Sequence, residues 1–88
     1  MHLKYTFETM ELDDRIVAVP LNENMDEYRG IVKLNETAAF IFNLLREDVT
    51  EDDLVNALEN VYDAPREVLL SDIKKYLHEF QEKGLVVQ

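Results

Sequence analysis

Hydrophobic and polar residues alternate along the first third of the chain, which is the pattern of β-strands. The alternation is loose over residues 3–10 and predicts a half-buried strand there. Residues 15–19 are mostly aliphatic and predict a second strand, and residues 28–34 predict a third. The polar composition of residues 22–27 predicts the loop between these last two strands. The N-terminal part is therefore predicted to form a three-stranded antiparallel sheet.

The hydrophobic spacing changes to that of helices after residue 34. Asn35 can cap a first helix, because its side-chain oxygen can accept from the free amides of the first turn. A second helix is predicted over residues 50–62, where Thr50 and Asp53 resemble a capping box with Asp in place of the usual Glu or Gln. A third helix is predicted over residues 65–83. The apolar face of the first helix is formed by Ala38, Ile41, Phe42 and Leu45, at i, i+3, i+4 and i+7.

This order of elements predicts an α+β fold that is winged-helix-like, with a three-stranded antiparallel sheet followed by three helices. The chain has 88 residues, which suits a single domain spanning residues 1–88. Residues 85–87 leave two alternatives open, a short strand or a segment that packs on the core. The absence of cysteine and of a long apolar run predicts a cytoplasmic protein without a disulfide framework.

The formal net charge of −10 is large for a chain of this size. It opposes binding to nucleic acid, whose affinity for proteins depends on Lys and Arg releasing counterions from the phosphates, and it disfavours anionic membranes for the same reason. Two readings of the acidic middle of the chain remain open, a solvated helix face or a patch that steers a basic partner protein. Its acids, with no Lys or Arg between them, are Glu47, Asp48, Glu51, Asp52, Asp53, Glu59 and Asp63.

The side chains that carry catalytic chemistry are scarce. His2 lies at the terminus, and His78 falls on the third predicted helix away from its apolar stripe, so neither has a partner at metal-ligand spacing. Ser71, the only serine, lies inside a predicted helix without the glycines of a nucleophile elbow. With two glycines in the chain there is no phosphate-binding glycine motif. We therefore expect no enzyme activity, no metal site and no cofactor.

Binding remains as the expected function, and the third predicted strand is the candidate site. An edge strand can accept an extended peptide as a further strand, with the third helix forming a wall beside it. The backbone of residues 28–33 would supply hydrogen bonds. The apolar side chains of the wall would be Leu69, Leu70, Ile73 and Leu77, and the local positive charge would come from Arg29, Lys33 and Lys74. The competing interpretation is that these apolar residues are ordinary core and that Lys33 protects the edge from aggregation.

A family resemblance is carried by residues 34–38, which read Leu-Asn-Glu-Thr-Ala, with Ile41 and Leu44 after them. This is similar to the signature L-N-E-T-A-x-x-I-x-x-L of PqqD-like proteins, also called recognition elements of ribosomally made, post-translationally modified peptides. The similarity continues in order at residues 16–20, Leu54, Leu58, Tyr62, Asp63, Asp72, Ile73, Leu77, Phe80 and residues 84–86. One departure lies at residues 46–48, Arg-Glu-Asp, where the family usually has a glycine in the turn.

The resemblance implies a partner and a site. PqqD-like proteins hold the leader segment of a precursor peptide and present it to a modifying enzyme, often a radical SAM enzyme. The leader adds as an antiparallel strand to the third strand, against the third helix. Carried over to this sequence, the implied peptide-binding residues are Tyr28, Arg29, Ile31, Val32, Lys33, Leu69, Leu70, Ile73, Lys74 and Leu77.

Three alternatives to this function remain at the level of sequence. A winged-helix transcriptional regulator is allowed by the fold class but opposed by the negative charge. A small protein–protein adaptor is the second alternative. An acidic carrier protein would need an exposed serine at a helix start, whereas Ser71 is predicted to lie in the middle of a helix.

Overall fold

The computed structural model describes residues 1–21 and 30–88. Its helices and strands follow the predicted order, with short strands added at the two ends of the chain. They are β1 (His2–Leu3), β2 (Phe7–Leu12), β3 (Arg15–Pro20), β4 (Val32–Leu34), α1 (Glu36–Leu44), α2 (Glu51–Glu59), α3 (Arg66–Glu82) and β5 (Val86–Val87). The α+β class, with a three-stranded antiparallel sheet and three helices, is confirmed.

The three-stranded sheet has the order β2-β3-β4 and is antiparallel throughout. β2 and β3 form a hairpin in which Leu12 pairs with Arg15, so the turn consists of Asp13 and Asp14 alone. Asp13 has a φ of 57°, in the left-handed region that Asp tolerates better than most residues. β4 pairs with β3 in the register that sets Lys33 opposite Val17.

The first predicted strand is wrong as a single unit. The structure divides residues 3–10 between β1, which pairs with β5, and β2, which pairs with β3. The division arises because the backbone amides near the N-terminus bond elsewhere. The Leu3 amide donates to the Leu45 carbonyl at 2.8 Å, and the Lys4 amide donates to the Leu85 carbonyl at 2.7 Å. The chain end is thereby held against the end of α1, and residues 86–87 form a strand, which decides between the two alternatives for this segment.

The core lies between one face of the sheet and the three helices. From the sheet it takes Phe7, Ala18, Val32 and Leu34, while Val17 points to the other face. Phe42 of α1 is fully buried at the centre, with its ring centroid 5.3 Å from that of Phe7 and 5.7 Å from that of Phe80, both at edge-to-face angles. The helices contribute Ala38, Ala39, Ile41, Phe42, Leu54, Val55, Leu58, Leu69, Ile73, Leu77 and Phe80.

Two predicted helix caps are present. The Asn35 Oδ1 accepts from the Ala38 amide at 2.8 Å. Thr50 and Asp53 form the reciprocal pair of a capping box, in which the Asp53 amide donates to the Thr50 hydroxyl at 3.1 Å and the Thr50 amide donates to the Asp53 carboxylate at 2.9 Å. These short-range signals fix where α1 and α2 begin.

Candidate functional site

The site begins with β4, which is the last strand of its sheet. Within the described residues β4 pairs with β3 on one side, and no strand pairs with its other side. Val32 and Leu34 point into the core, Lys33 points away from it and is exposed, and Ile31 before the strand is 51% exposed. The free side of β4 therefore carries backbone groups that another strand can pair with.

Part of the predicted site lies outside the described residues or has another structure. Tyr28 and Arg29 fall in the segment that the structure does not describe. Ile31 precedes the strand rather than lying in it, because β4 starts at Val32. The strand available for pairing is therefore shorter than the predicted residues 28–34.

α3 joins the end of β4 through a side-chain hydrogen bond. The Asn35 Nδ2 donates to the Tyr76 hydroxyl at 2.9 Å. Asn35 follows β4 directly and caps α1, so this contact connects β4, α1 and α3 at one point. Tyr76 is half-buried, and its ring also lies 5.7 Å from the Lys75 ammonium.

α3 runs beside β4 from this contact towards the start of the strand. Phe80, one turn after Tyr76, contacts Phe42, which contacts Phe7. Phe7 pairs with Pro20 at the far end of β3, whereas the Leu34 end of β4 pairs with Ile16. The space between the free side of β4 and the Tyr76 side of α3 is called the cleft, and the bond between Asn35 and Tyr76 lies at its Leu34 end.

The predicted apolar wall residues are mostly part of the core. Ile73 is 0% exposed, Leu69 is 5% exposed and Leu77 is 4% exposed. They hold α3 against the sheet and offer almost no surface to a partner in this conformation. The competing interpretation, that the apolar residues of α3 are core side chains, therefore applies to Leu69, Ile73 and Leu77.

Leu70 and Lys74 lie on the other side of α3. Lys74 lines a surface pocket of about 550 Å³ together with Val49 and Glu51, at the start of α2. Because successive helix residues are separated by about 100°, Tyr76 projects about 160° away from Lys74. Leu70, one turn before Lys74, shares its side of the helix. The structure thus does not place Lys74 beside β4, where the sequence prediction had placed a positive charge.

Two residues of the cleft were absent from the sequence prediction of the site. Asn35 was predicted only as a helix cap, and Tyr76 only as part of the apolar stripe of the third helix. The signal for Tyr76 was its position three residues after Ile73, which puts it at the margin of the buried face. Nothing in the sequence shows which margin of α3 faces the sheet, because that depends on how the helix packs.

No charged side chain is buried among the described residues. The N-terminal ammonium of Met1 lies 2.8 Å from the Asp48 Oδ1 and lowers the pKa of that carboxyl, with a smaller contribution from His2. Arg66 forms ion pairs with Asp52 and Glu59 on the outside of α2. These pairs join the start of α3 to α2, and Lys33 is the exposed charge of β4 itself.

Chemical groups for catalysis do not converge in the described part of the chain. No group of three or more His, Cys, Asp or Glu side chains there could hold a metal ion. Ser71 lies inside α3, as predicted, and is exposed. No helix within residues 1–21 and 30–88 is both long and apolar enough to cross a bilayer.

A family comparison shows the family to which the chain belongs. The family model described as Coenzyme PQQ synthesis protein D (PqqD) matches residues 19–86. The chain belongs to the PqqD family. The matched region includes β4, α3 and the hydrogen bond between Asn35 and Tyr76. No curated protein matches this chain in sequence.

Two solved structures have the same fold as this PqqD-family chain. One is TbiB1 in complex with the TbiA(β) leader peptide, with a TM-score of 0.71, 21% identity, and coverage of 97% of this chain and 93% of that one. The other is lasso peptide synthetase B1 complexed with the leader peptide, with a TM-score of 0.70, 21% identity, and coverage of 99% of this chain and 96% of that one. At this identity the comparison establishes the architecture.

Proposed function

We propose that this PqqD-family protein binds the leader segment of a ribosomally made precursor peptide and presents it to a modifying enzyme. The leader adds to the free side of β4 as an antiparallel strand and lies against α3. The protein itself performs no chemistry on the peptide. The family resemblance implies a modifying enzyme as the partner, often a radical SAM enzyme, and the expected location is the cytoplasm, where precursor and enzyme would meet.

The free side of β4 beside α3 is the observation that carries this proposal. Strand addition gains backbone hydrogen bonds from a sheet edge, and a neighbouring wall selects among side chains. Both similar structures, of TbiB1 and lasso peptide synthetase B1, are complexes with leader peptides. The family match extends across the residues that form this edge and wall.

The proposed contacts follow the placement of the residues. The backbone of Val32 and Lys33 would pair with the leader, and exposed Ile31 would extend the contact along the peptide. Leu69, Ile73 and Leu77 would contribute indirectly, because their side chains in the core fix the position of α3. Tyr28 and Arg29, which lie outside the described residues, stay in the proposal as peptide-binding residues, and Leu70 and Lys74 would join only if the leader crosses over α3.

The test is an NMR titration of the ¹⁵N-labelled protein with synthetic leader segments of the short precursor reading frames beside its gene. We expect micromolar or tighter binding, with the largest amide shifts at residues 31–34 and at Tyr76. Hydrogen exchange should slow at every second amide of β4, because only alternate amides point to the free side of the strand. Shifts confined to α2, or no binding by any of these leaders, would overturn the proposal.

A parallel titration with duplex DNA distinguishes the winged-helix regulator. We expect no binding at physiological salt, because α3 carries four acids against three bases and the chain has a net charge of −10. Tight binding that weakens steeply with added salt would instead favour a regulator.

A further inference from the structure

The hydrogen bond between Asn35 and Tyr76 leaves one donor unused. The Asn35 Oδ1 already accepts from the Ala38 amide, so the Asn35 group that faces Tyr76 is the Nδ2 amide, a donor. The Tyr76 oxygen must therefore be the acceptor in this bond. A phenol has a single O–H donor, and the O–H of Tyr76 does not donate to Asn35.

The Tyr76 proton has no acceptor elsewhere in the described structure. Within residues 1–21 and 30–88 the hydroxyl forms no hydrogen bond besides the one from Asn35. Tyr76 is half-buried, its bond with Asn35 is exposed to solvent, and that bond holds the hydroxyl at the Leu34 end of the cleft. An oriented O–H donor thus lies next to the Leu34 end of the strand that the leader would join.

We propose that Tyr76 is a positioning residue that sets the register of the bound peptide by donating its O–H to an acceptor on the peptide. The inference rests on the proposed function. In antiparallel addition the N-terminal end of the added strand lies beside the C-terminal end of β4, so the acceptor belongs to the start of the bound segment. A peptide slipped by one residue would present its side chains to the wrong faces and lose this bond.

The required peptide chemistry follows from the donor. The first residue of the paired segment offers Tyr76 a carbonyl, carboxylate, amide or hydroxyl oxygen. A peptide that covers the Tyr76 hydroxyl with only apolar atoms takes the donor away from water without supplying another acceptor, which costs affinity. Asn35 thereby has two roles, because its oxygen caps α1 while its amide directs the Tyr76 proton towards the cleft.

Two variants remove the donor by different routes. Tyr76→Phe deletes the hydroxyl and keeps the ring. Asn35→Asp keeps an oxygen for the helix cap, where Asp is as favourable as Asn, but its carboxylate accepts the Tyr76 proton. The matched control is Tyr62→Phe, since Tyr62 is also half-buried and its hydroxyl interacts with Thr37 of α1 at 3.4 Å.

The measurement is fluorescence anisotropy with fluorescein-labelled synthetic leaders of the neighbouring precursor reading frames, alongside urea unfolding of each variant. We expect Tyr76→Phe and Asn35→Asp each to weaken binding about 3- to 10-fold, the range of one lost neutral hydrogen bond. The double variant should bind like either single variant, because both remove the same donor. Tyr62→Phe should bind like the wild type.

The outcomes separate this inference from the proposed function. Unchanged binding by Tyr76→Phe, with the leader still bound by the wild type, overturns the role of Tyr76 and leaves leader recognition in place. If Asn35→Asp lowers the affinity by the same factor in the wild type and in the Tyr76→Phe variant, the loss comes from the added charge. That result also overturns the role of Tyr76. If no leader binds to the wild type, the proposed function and this inference fall together.

Discussion

The guanidinium of Arg46 donates through Nη1 to the backbone carbonyl of Phe7 at 2.6 Å, joining the turn after α1 to the first residue of β2. Arg46 also donates through Nε to the Asn43 side chain at 3.1 Å. The turn at residues 46–48 departs from the glycine turn usual in PqqD-like proteins, and here a charged side chain ties it to the sheet. The bond helps to hold β2 against α1.

Replacing Arg46 should therefore destabilise the fold. We expect Arg46→Gln to lower the free energy of unfolding by about 1–2 kcal/mol, the range of a partly exposed hydrogen bond with a charged donor. Urea unfolding followed by circular dichroism measures this change. The matched control is Arg15→Gln, because Arg15 is exposed and forms no ion pair within the described residues. Equal stability of the two variants would show that the bond to Phe7 contributes nothing.

The aromatic centre of the core should be sensitive to a change of shape. Phe42→Leu removes both edge-to-face contacts, with Phe7 and Phe80, and leaves a void in a fully buried position. We expect a loss of about 1–3 kcal/mol in unfolding free energy. Phe40→Leu is the control, since Phe40 is half-buried and, within residues 1–21 and 30–88, contacts one ring, that of Tyr62. Calorimetry should show a smaller drop in Tm for Phe40→Leu, and the reverse order would contradict the assigned core.

The capping box of α2 can be tested at Thr50. Thr50→Ala removes the hydroxyl that accepts from the Asp53 amide, and we expect a loss of about 1 kcal/mol. Asn60→Ala, at the exposed C-terminal end of the same helix, serves as the control and should change the stability by less than about 0.5 kcal/mol. Denaturant midpoints at a constant m-value report both changes. A Thr50→Ala midpoint equal to that of the wild type would mean that the box does not stabilise α2.

The two sides of α3 should differ in their effect on peptide binding. Lys74→Ala should leave the affinity for a leader within about twofold, because Lys74 lies beside the start of α2, on the side of α3 opposite to Tyr76. Tyr76→Ala should weaken binding at least about 10-fold, because it removes both the ring and the hydroxyl from the wall of the cleft. Isothermal titration calorimetry measures both affinities. A larger loss for Lys74→Ala would move the peptide to the α2 side of the helix.

The local features of the fold were predictable because their causes are close together in sequence. Asn35 caps the residue three positions later, and Thr50 and Asp53 form their box within one turn. The first strand was predicted wrongly because its pattern continues through residues 4–6, while the chain end pairs with β5, more than 80 residues away along the chain. A loose alternation of residue types does not reveal where a strand changes its partner.

The candidate site was predictable as an edge strand beside a helix, but not in its side chains. Apolar spacing identified Leu69, Ile73 and Leu77 as one face of α3, and that face is buried in the core. Which margin of the helix faces β4 depends on the rotation of α3 about its axis. That rotation is fixed by contacts such as Phe80 with Phe42, which join distant parts of the chain.

The sequence by itself determined the class of the fold, the order of its elements and the places where α1 and α2 begin, because hydrophobic period and capping act over a few neighbouring residues. It also determined the large negative charge, which is a sum and needs no geometry. Only the tertiary structure decided that Tyr76 rather than Lys74 lies beside β4 and that Asn35 holds its hydroxyl there. Those relations depend on packing across more than 40 residues of chain, which a local pattern does not encode.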